Sequence, residues 1–155
     1  MDDLVFTDVD YSQIQELEFD NTPVKAGSYM MQIKKVTFSK GRDTETPYLK
    51  WQLVHTHQDL KLRGSVFENT MLAGKGAFRT KQLLSALGVG EADKFQFAVE
   101  GIITDDNRRK GIPVRLIVNG NPFEPVGTLL NVVLNEKTSP GQSPRNEVEK
   151  YLPAS

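Results

Sequence analysis

The sequence predicts a mainly β domain, an antiparallel barrel of five to six strands with one α-helix after the third strand. Apolar and polar residues alternate along most apolar segments, which is the period of a half-buried strand. Only residues 77–87 repeat with the period of a helix. The chain has 155 residues, 38% of them hydrophobic and 25% charged, which fits one globular domain and excludes a mostly disordered chain.

The first two predicted strands show this alternation most clearly. Between residues 28 and 38 the apolar parity changes at Lys34–Lys35, and a one-residue slip within a strand indicates a bulge and a sharp bend. A second strand is predicted over residues 48–56, with Trp51 on the apolar parity. We therefore expect Trp51 to face the core and its polar-parity neighbours to face outward.

The later elements complete the predicted order. A third strand covers 62–71, the helix ends at Gly88, and further strands cover 95–103, 114–118 and 128–135. A bent first strand and a helix after the third strand are typical of the OB-fold, a small and partly open barrel. An antiparallel sandwich with one helix across it is the alternative. Ser, Pro and Gly are frequent near the C-terminus, so residues 136–155 are predicted to form a flexible tail.

The charges are divided unevenly along the chain. Residues 1–24 hold seven acidic residues and no Lys or Arg, a formal charge of −7. Residues 25–155 hold all 19 basic residues against 13 acidic ones, a formal charge of +6. This asymmetry predicts contact with nucleic acid, or a charge-mimicking arm. We accordingly divide the chain into an acidic arm over 1–24, a nucleic-acid-binding domain over 25–135 and the tail.

Signals of an enzyme are poor. The absence of cysteine excludes a thiol nucleophile and a cysteine-ligated zinc site. His55, His57 and Asp59 share one parity of an extended segment, but no neighbouring residue supplies a fourth metal ligand. The segment Gly74–Gly76 lacks the spacing of a phosphate loop, and no Gly-x-Ser-x-Gly motif presents a serine. We expect no catalytic residue, no metal and no cofactor.

Basic residues interleaved with aromatic residues form the most informative pattern. Proteins that bind single strands without sequence preference use cations to follow the phosphates and aromatic faces to stack on bases. Tyr48 lies on the polar parity and is a better stacking candidate than Trp51. The candidate nucleic-acid-binding residues are Lys34, Lys35, Phe38, Lys40, Arg42, Tyr48, Lys50, Lys61, Arg63, Lys75, Arg79, Arg108, Arg109, Lys110 and Arg115.

A series of short patterns carries a resemblance to a known family. In chain order they are Pro23-x-x-x-Gly27-x-Tyr29, Tyr48–Leu53, Val66–Asn69 with Met71-Leu72, Gln82–Gly88 and Asn131–Leu134. On these, residues 23–135 resemble a family of bacteriophage early-region proteins, long described as a domain of unknown function and linked to single-stranded DNA binding. The resemblance implies an OB-like barrel that coats single-stranded DNA during replication or recombination, and it implies no catalytic residue.

The resemblance also implies a setting and partners. We expect the protein to act in the cytoplasm of an infected bacterium, with phage or host replication and recombination proteins as further partners. No apolar run approaches the ~18 residues that span a bilayer, so no membrane partner is expected. The alternative is a phage structural or protein–protein adaptor on a β-sandwich. A small metal-dependent nuclease ranks last, because only Asp105–Asp106 and the His55, His57 and Asp59 set could supply its ligands.

Overall fold

The structure, a computed structural model, describes residues 23–43, 45–60, 65–72 and 77–154. Within these ranges the chain is mainly β, as predicted, with one α-helix after the third strand. The elements in chain order are β1 (Gly27–Lys40), β2 (Pro47–His55), a short 3-10 helix (Gln58–Leu60), β3 (Val66–Met71), α1 (Ala77–Ala86), β4 (Phe95–Val99), β5 (Ile112–Val118), β6 (Asn121–Phe123), β7 (Leu129–Lys137) and β8 (Arg145–Pro153).

Strand β1 is the shared element of the sheet. One edge pairs antiparallel with β2, while the other edge pairs first with β7 and then, at Thr37 and Phe38, with β5. The register against β2 shifts between Ile33 and Lys35, which confirms the predicted bulge. Met31 and Ile33 are buried before the shift and Phe38 after it, so the bulge keeps apolar side chains inward on both halves.

Five strands of the open antiparallel sheet form one continuous series, which we call the barrel because its two end strands contact each other. The hydrogen-bonded order is β3-β2-β1-β7-β8, and α1 packs against β3 and β8, the two ends of this series. This arrangement is compatible with the predicted OB-like barrel. The described residues contain eight strands rather than five or six. The additional strands β4, β5 and β6 lie between α1 and β7 in the sequence. They form a small sheet that joins the barrel through the pairing of β5 with β1.

The C-terminal segment differs from the expected flexible tail. Strand β8 pairs with β7 along its length, and Val148 and Tyr151 belong to the hydrophobic core. The side-chain amide of Asn146 donates to the carbonyl groups of Val24 (2.9 Å) and Asn135 (3.1 Å). The Ser-, Pro- and Gly-rich residues 138–144 are only the loop of this hairpin. The prediction is therefore wrong for residues 145–153, because local composition does not report pairing with a distant strand.

Trp51 is fully buried, as predicted. Its indole N–H donates to the hydroxyl of Thr70 at 2.7 Å, and that hydroxyl lies 3.4 Å from the carbonyl oxygen of Leu49. Phe38 is also buried, and its ring stacks on that of Phe97 with 5.6 Å between centroids. Phe38 is therefore a core residue of the junction between β1 and the additional strands, which removes it from the candidate surface.

The predicted helix is confirmed with its buried face. Thr80, Leu83 and Leu84 are buried, and Gly88 follows with a φ of 94°. The amide of Val89 donates to the carbonyl of Leu84 (2.9 Å), and that of Gly88 to Ser85 (3.0 Å). These two bonds are a Schellman motif, which requires the left-handed conformation that glycine adopts at little cost.

Replacing Trp51 by alanine is expected to lower the unfolding free energy by about 3–5 kcal/mol, because the substitution empties a fully buried aromatic site. Thr70→Val keeps the volume but removes the acceptor of the indole N–H, and is expected to cost about 1–3 kcal/mol. Urea denaturation followed by circular dichroism measures both. An unchanged midpoint for Trp51→Ala would show that the indole does not support the barrel.

Candidate nucleic-acid interface

The outer surface of β1, β2 and β3 carries a group of cationic, amide and aromatic side chains. The strand register pairs Lys35 with Gln52 and Gln52 with Phe67, so these side chains point to the same side of the sheet. The neighbours of these residues along β2, including Trp51, point into the core. We call this surface the basic face and define it by Lys35, Tyr48, Lys50, Gln52, Phe67 and Asn69.

Lys50 occupies the centre of the basic face. Its Nζ donates to the carbonyl oxygen of Arg109 at 2.7 Å and lies 5.2 Å from the ring centroid of Phe67. Phe67 is 56% exposed, which is high for a side chain of this size and polarity. An ammonium group and an accessible aromatic ring therefore lie next to each other on the outside of the sheet.

The turn before β5 borders this face. Three successive carbonyl oxygens of the turn accept hydrogen bonds from β1 and β2: Arg108 from Ser39 (2.6 Å), Arg109 from Lys50 (2.7 Å) and Lys110 from Thr37 (3.1 Å). With the carbonyl groups turned toward the sheet, Arg109 and Lys110 are left exposed. The turn thus covers Thr37 and Ser39 and adds two cations at the edge of the basic face.

Gly111 allows the turn to approach β1 this closely. A Cβ atom at this position would lie 2.8 Å from the carbonyl oxygen of Phe38 and 2.7 Å from the hydroxyl oxygen of Thr37. The φ of Gly111 is also +79°, in the region that side chains disfavour. Glycine here therefore fixes the position of Arg109 beside Lys50.

Like charges lie close together on the basic face. Burial lowers the pKa of Lys50, and the charges of Arg109 and Lys35 lower it further. Among the described residues, no carboxylate forms an ion pair with Lys35, Lys50 or Arg109. Like charges held together in this way repel one another and attract an anion.

Some of the predicted nucleic-acid-binding residues lie near the basic face without belonging to it. Lys34 is the extra, exposed residue of the bulge, and Lys40 and Arg42 lie at the end of the β1–β2 hairpin. Arg108 has another role. Its guanidinium donates to the carbonyl groups of Lys40 (3.2 Å) and Gly41 (2.9 Å), and its side chain is only 17% exposed. Arg108 therefore anchors the turn to the hairpin and is not available to a ligand.

Two other predicted cations are paired elsewhere. Arg79 on α1 lies 3.4 Å from a carboxylate oxygen of Glu68 and donates to the carbonyl of Glu149 at 2.7 Å, so it bridges β3 and β8. Arg115 lies 3.6 Å from Glu100, on the small sheet. Neither is on the basic face. Lys61, Arg63 and Lys75 lie outside the described residues.

Sequence reasoning missed Phe67, together with Gln52 and Asn69. The inward positions of β3 are Val66, Glu68 and Thr70, so two polar residues face the barrel while Phe67 faces outward. The hydroxyl of Thr70 accepts from Trp51, and Glu68 pairs with Arg79. These partners are distant in sequence, so alternation alone gave no signal for the orientation of β3. The alternation of β2 places Gln52 outward, and this is the one sequence signal that could have identified Gln52 as a polar neighbour of Lys50 on the face.

The two histidines do not meet. His55 is buried with its ring against that of Tyr29, whereas His57 and Asp59 are exposed near the 3-10 helix. Within the described ranges, no group of three His, Asp or Glu side chains could hold a metal ion.

Comparison with known proteins adds no further assignment. No protein-family model matches the chain, and no curated protein matches it significantly. None of the described helices is both long enough and apolar enough to cross a membrane.

In an NMR pH titration of the lysine Nζ groups, Lys50 is expected to titrate below its ordinary value of 10.5. Arg109→Gln should raise the pKa of Lys50, because it removes one of the two neighbouring charges but keeps the backbone carbonyl. Arg115→Gln removes a cation paired with Glu100 and should leave the pKa of Lys50 unchanged.

The same shift has a consequence for stability. Because the folded state holds the Lys50 proton less tightly than the unfolded state, the contribution of Lys50 to folding improves as pH rises from neutral toward 10.5. The free energy of unfolding of the wild type, measured relative to that of Lys50→Met, should therefore increase as the pH is raised from neutral toward 10.5. A Lys50 pKa that Arg109→Gln leaves unchanged would contradict the crowding of cations at this site.

Proposed function

We propose that the basic face binds single-stranded DNA without marked sequence preference. The observation that carries the proposal is Lys50, which lies between the Arg109 carbonyl and the exposed ring of Phe67, close to the charges of Arg109 and Lys35, and forms no ion pair with a carboxylate of the described residues. Cations and stackable aromatic rings on one surface are the combination that binds single strands of any sequence. The outer face of β2 and β3 is also where OB-folds bind oligonucleotides.

The chemistry of binding follows from the groups on the face. Lys35, Lys50 and Arg109 neutralise successive phosphates, since each has a charge that no described carboxylate neutralises. The rings of Phe67 and Tyr48 stack on bases, and stacking tolerates every base because each has a π-face. The amides of Gln52 and Asn69 offer both donors and acceptors, so they add hydrogen bonds without selecting one base. No cofactor or metal is required.

The biological setting of this proposal rests on the resemblance described above. Coating of single-stranded DNA during phage replication or recombination, in the cytoplasm of an infected bacterium, would use a sequence-independent surface of this kind. Phage or host replication and recombination proteins are the proposed additional partners. The protein acts in this proposal as a binding protein and not as an enzyme.

A specific observation favours the adaptor as a second candidate. The small sheet and the loop after β6 form an open depression of about 690 Å³ whose lining is mostly apolar and includes Leu116, Phe123 and Val126. Val126 is 56% exposed. A protein partner could bury this surface. If the protein is an adaptor that uses only this depression, substitutions on the basic face should not change its affinity for the protein partner. This distinguishes the two functions.

We expect single-stranded DNA to bind more tightly than duplex, with strong salt dependence. If about four phosphates are neutralised, the logarithm of the affinity should fall against the logarithm of the salt concentration with a slope near −3. Fluorescence anisotropy with a labelled oligonucleotide at several salt concentrations measures the slope. Lys50→Met should lower the affinity about tenfold and reduce the slope by ~0.7, the contribution of one phosphate.

The matched control is Lys150→Met. Lys150 is an exposed lysine on β8, a strand that pairs with β7 and has no hydrogen-bonded pairing with β1, β2 or β3 in the described residues, so the substitution makes the same change in net charge outside the basic face. It should change affinity by less than about twofold. Equal losses for the two variants, or equal affinity for duplex, would show that binding is a property of the overall charge and not of this face.

Phe67→Ala is expected to weaken binding about 5- to 150-fold, because stacking on one base contributes about 1–3 kcal/mol. Phe67 is exposed, so the melting temperature should stay close to that of the wild type. Phe78→Ala is the matched control, because Phe78 is a second exposed phenylalanine (64%) but lies on α1. If both variants bind like the wild type, the aromatic part of the proposed mechanism is wrong.

A further inference from the structure

The acidic N-terminal segment is attached to the barrel at a fixed point. The amide N–H of Val24 donates to the side-chain oxygen of Asn146 at 2.9 Å, and the Asn146 amide donates back to the carbonyl of Val24 at 2.9 Å. Val24 itself is buried. Residues 1–22, which precede this attachment, lie outside the described residues. Their tether therefore begins at Pro23, beside β8.

The composition of residues 1–22 complements the basic face. They contain seven carboxylates and no Lys or Arg, and the carboxylates alternate with the aromatic residues Phe6, Tyr11 and Phe19. Negative charges interspersed with flat rings are the same chemical features that a single strand offers through its phosphates and bases. The basic face has the matching groups, namely cations that form no ion pair with a described carboxylate, beside an exposed ring.

The length of the segment suits the distance to be spanned. Lys35 is eight residues along β1 from Gly27, which corresponds to about 26 Å along a strand. A chain of 22 residues that followed random-coil statistics would have a root-mean-square end-to-end length of about 25 Å. A tether whose length matches the span gives an effective concentration that reaches the millimolar range. Asp2, Asp3, Asp8 and Asp10 are the carboxylates far enough from Pro23 to reach the face readily.

We propose that residues 1–22 are an intramolecular ligand of the basic face and compete there with single-stranded DNA. The competition rests on the proposed function, whereas the docking itself depends only on the charges and rings of the chain. Coverage of the face for about 80% of the time would weaken the apparent affinity fivefold, because only the uncovered fraction binds. Residues 1–22 then increase selectivity for single-stranded DNA, because single strands displace them from the basic face whereas polyanions with a lower affinity for this face do not.

The first test compares two full-length variants of equal net charge. The arm variant replaces four distant carboxylates by asparagine, at Asp2, Asp3, Asp8 and Asp10. The body variant neutralises four exposed carboxylates outside the basic face, as Asp59→Asn, Glu124→Gln, Glu136→Gln and Glu149→Gln. Affinity for a labelled single-stranded oligonucleotide is measured at low and at high salt.

The proposal predicts that the arm variant binds about fivefold more tightly than the wild type at low salt and that this gain shrinks at high salt. The body variant should gain less than about twofold. Equal gains would show a general effect of net charge and would overturn the proposal. Unchanged affinity for the arm variant would overturn it as well.

The second test does not depend on DNA binding. Carbodiimide joins carboxylates to lysine amines in direct contact, and mass spectrometry locates the joined residues. Cross-links from the distant carboxylates Asp2, Asp3, Asp8 or Asp10 to Lys35 or Lys50 support docking, and added oligonucleotide should suppress them. If these cross-links form but no variant binds DNA, the proposed function fails while docking stands. If DNA binds but the cross-links are absent, docking fails while the proposed function stands.

Discussion

The bulge at Lys34 is the constraint on which the arrangement of this domain depends. Strand β1 is long, and without an extra residue its inward parity would carry apolar side chains on one half and polar ones on the other. The register shift between Ile33 and Lys35 corrects this, so Ile33 and Phe38 both face apolar surroundings. It also lets β1 change partner, from β7 on its first half to β5 on its second. The barrel and the small sheet are joined in this way.

The same bulge sets the position of the basic face. Lys35 follows it directly and points outward next to Gln52, within electrostatic range of Lys50. The turn before β5 places Arg109 next to Lys50. Three carbonyl oxygens of this turn accept hydrogen bonds from β1 and β2, and Gly111 lets the turn approach β1 because it has no side chain. The cations are thus brought together by backbone hydrogen bonds and packing. The hydrogen bonds of the turn and the register of β1 with β2 hold these cations together against their mutual repulsion.

Burial separates residues of the same type into those with a structural role and those that stay exposed. Arg108 and Arg109 are adjacent in sequence, yet the first anchors the turn through carbonyl groups of the hairpin and the second is exposed beside Lys50. Glu68 shows the cost of a structural role. Burial raises the pKa of its carboxyl group although Arg79 is close, so the ion pair only partly offsets desolvation. That pair bridges the unbonded edge between β3 and β8, which the sheet itself does not close.

The sequence by itself determined the features that depend on local periodicity. The mainly β class, the bulge in β1, the inward orientation of Trp51 and the helix ending at Gly88 each follow from a short run of residues. Tyr48 and Lys50 could be placed on one side of β2 for the same reason, whereas only the strand register places Lys35 on that side.

The tertiary structure alone decided which strands pair and which polar groups are satisfied. The local sequence of β8 resembles a tail because it is polar in composition. The strand is held by its pairing with β7 and by the hydrogen bond from its Asn146 side chain to the carbonyl of Asn135. Phe67 faces outward because the polar Thr70 and Glu68 find partners inside, and Phe38 is covered by strands far along the chain. A local pattern reports only whether a residue alternates with its neighbours. Whether a buried polar group has a partner, or an exposed ring has none, depends on residues that only the folded chain brings near.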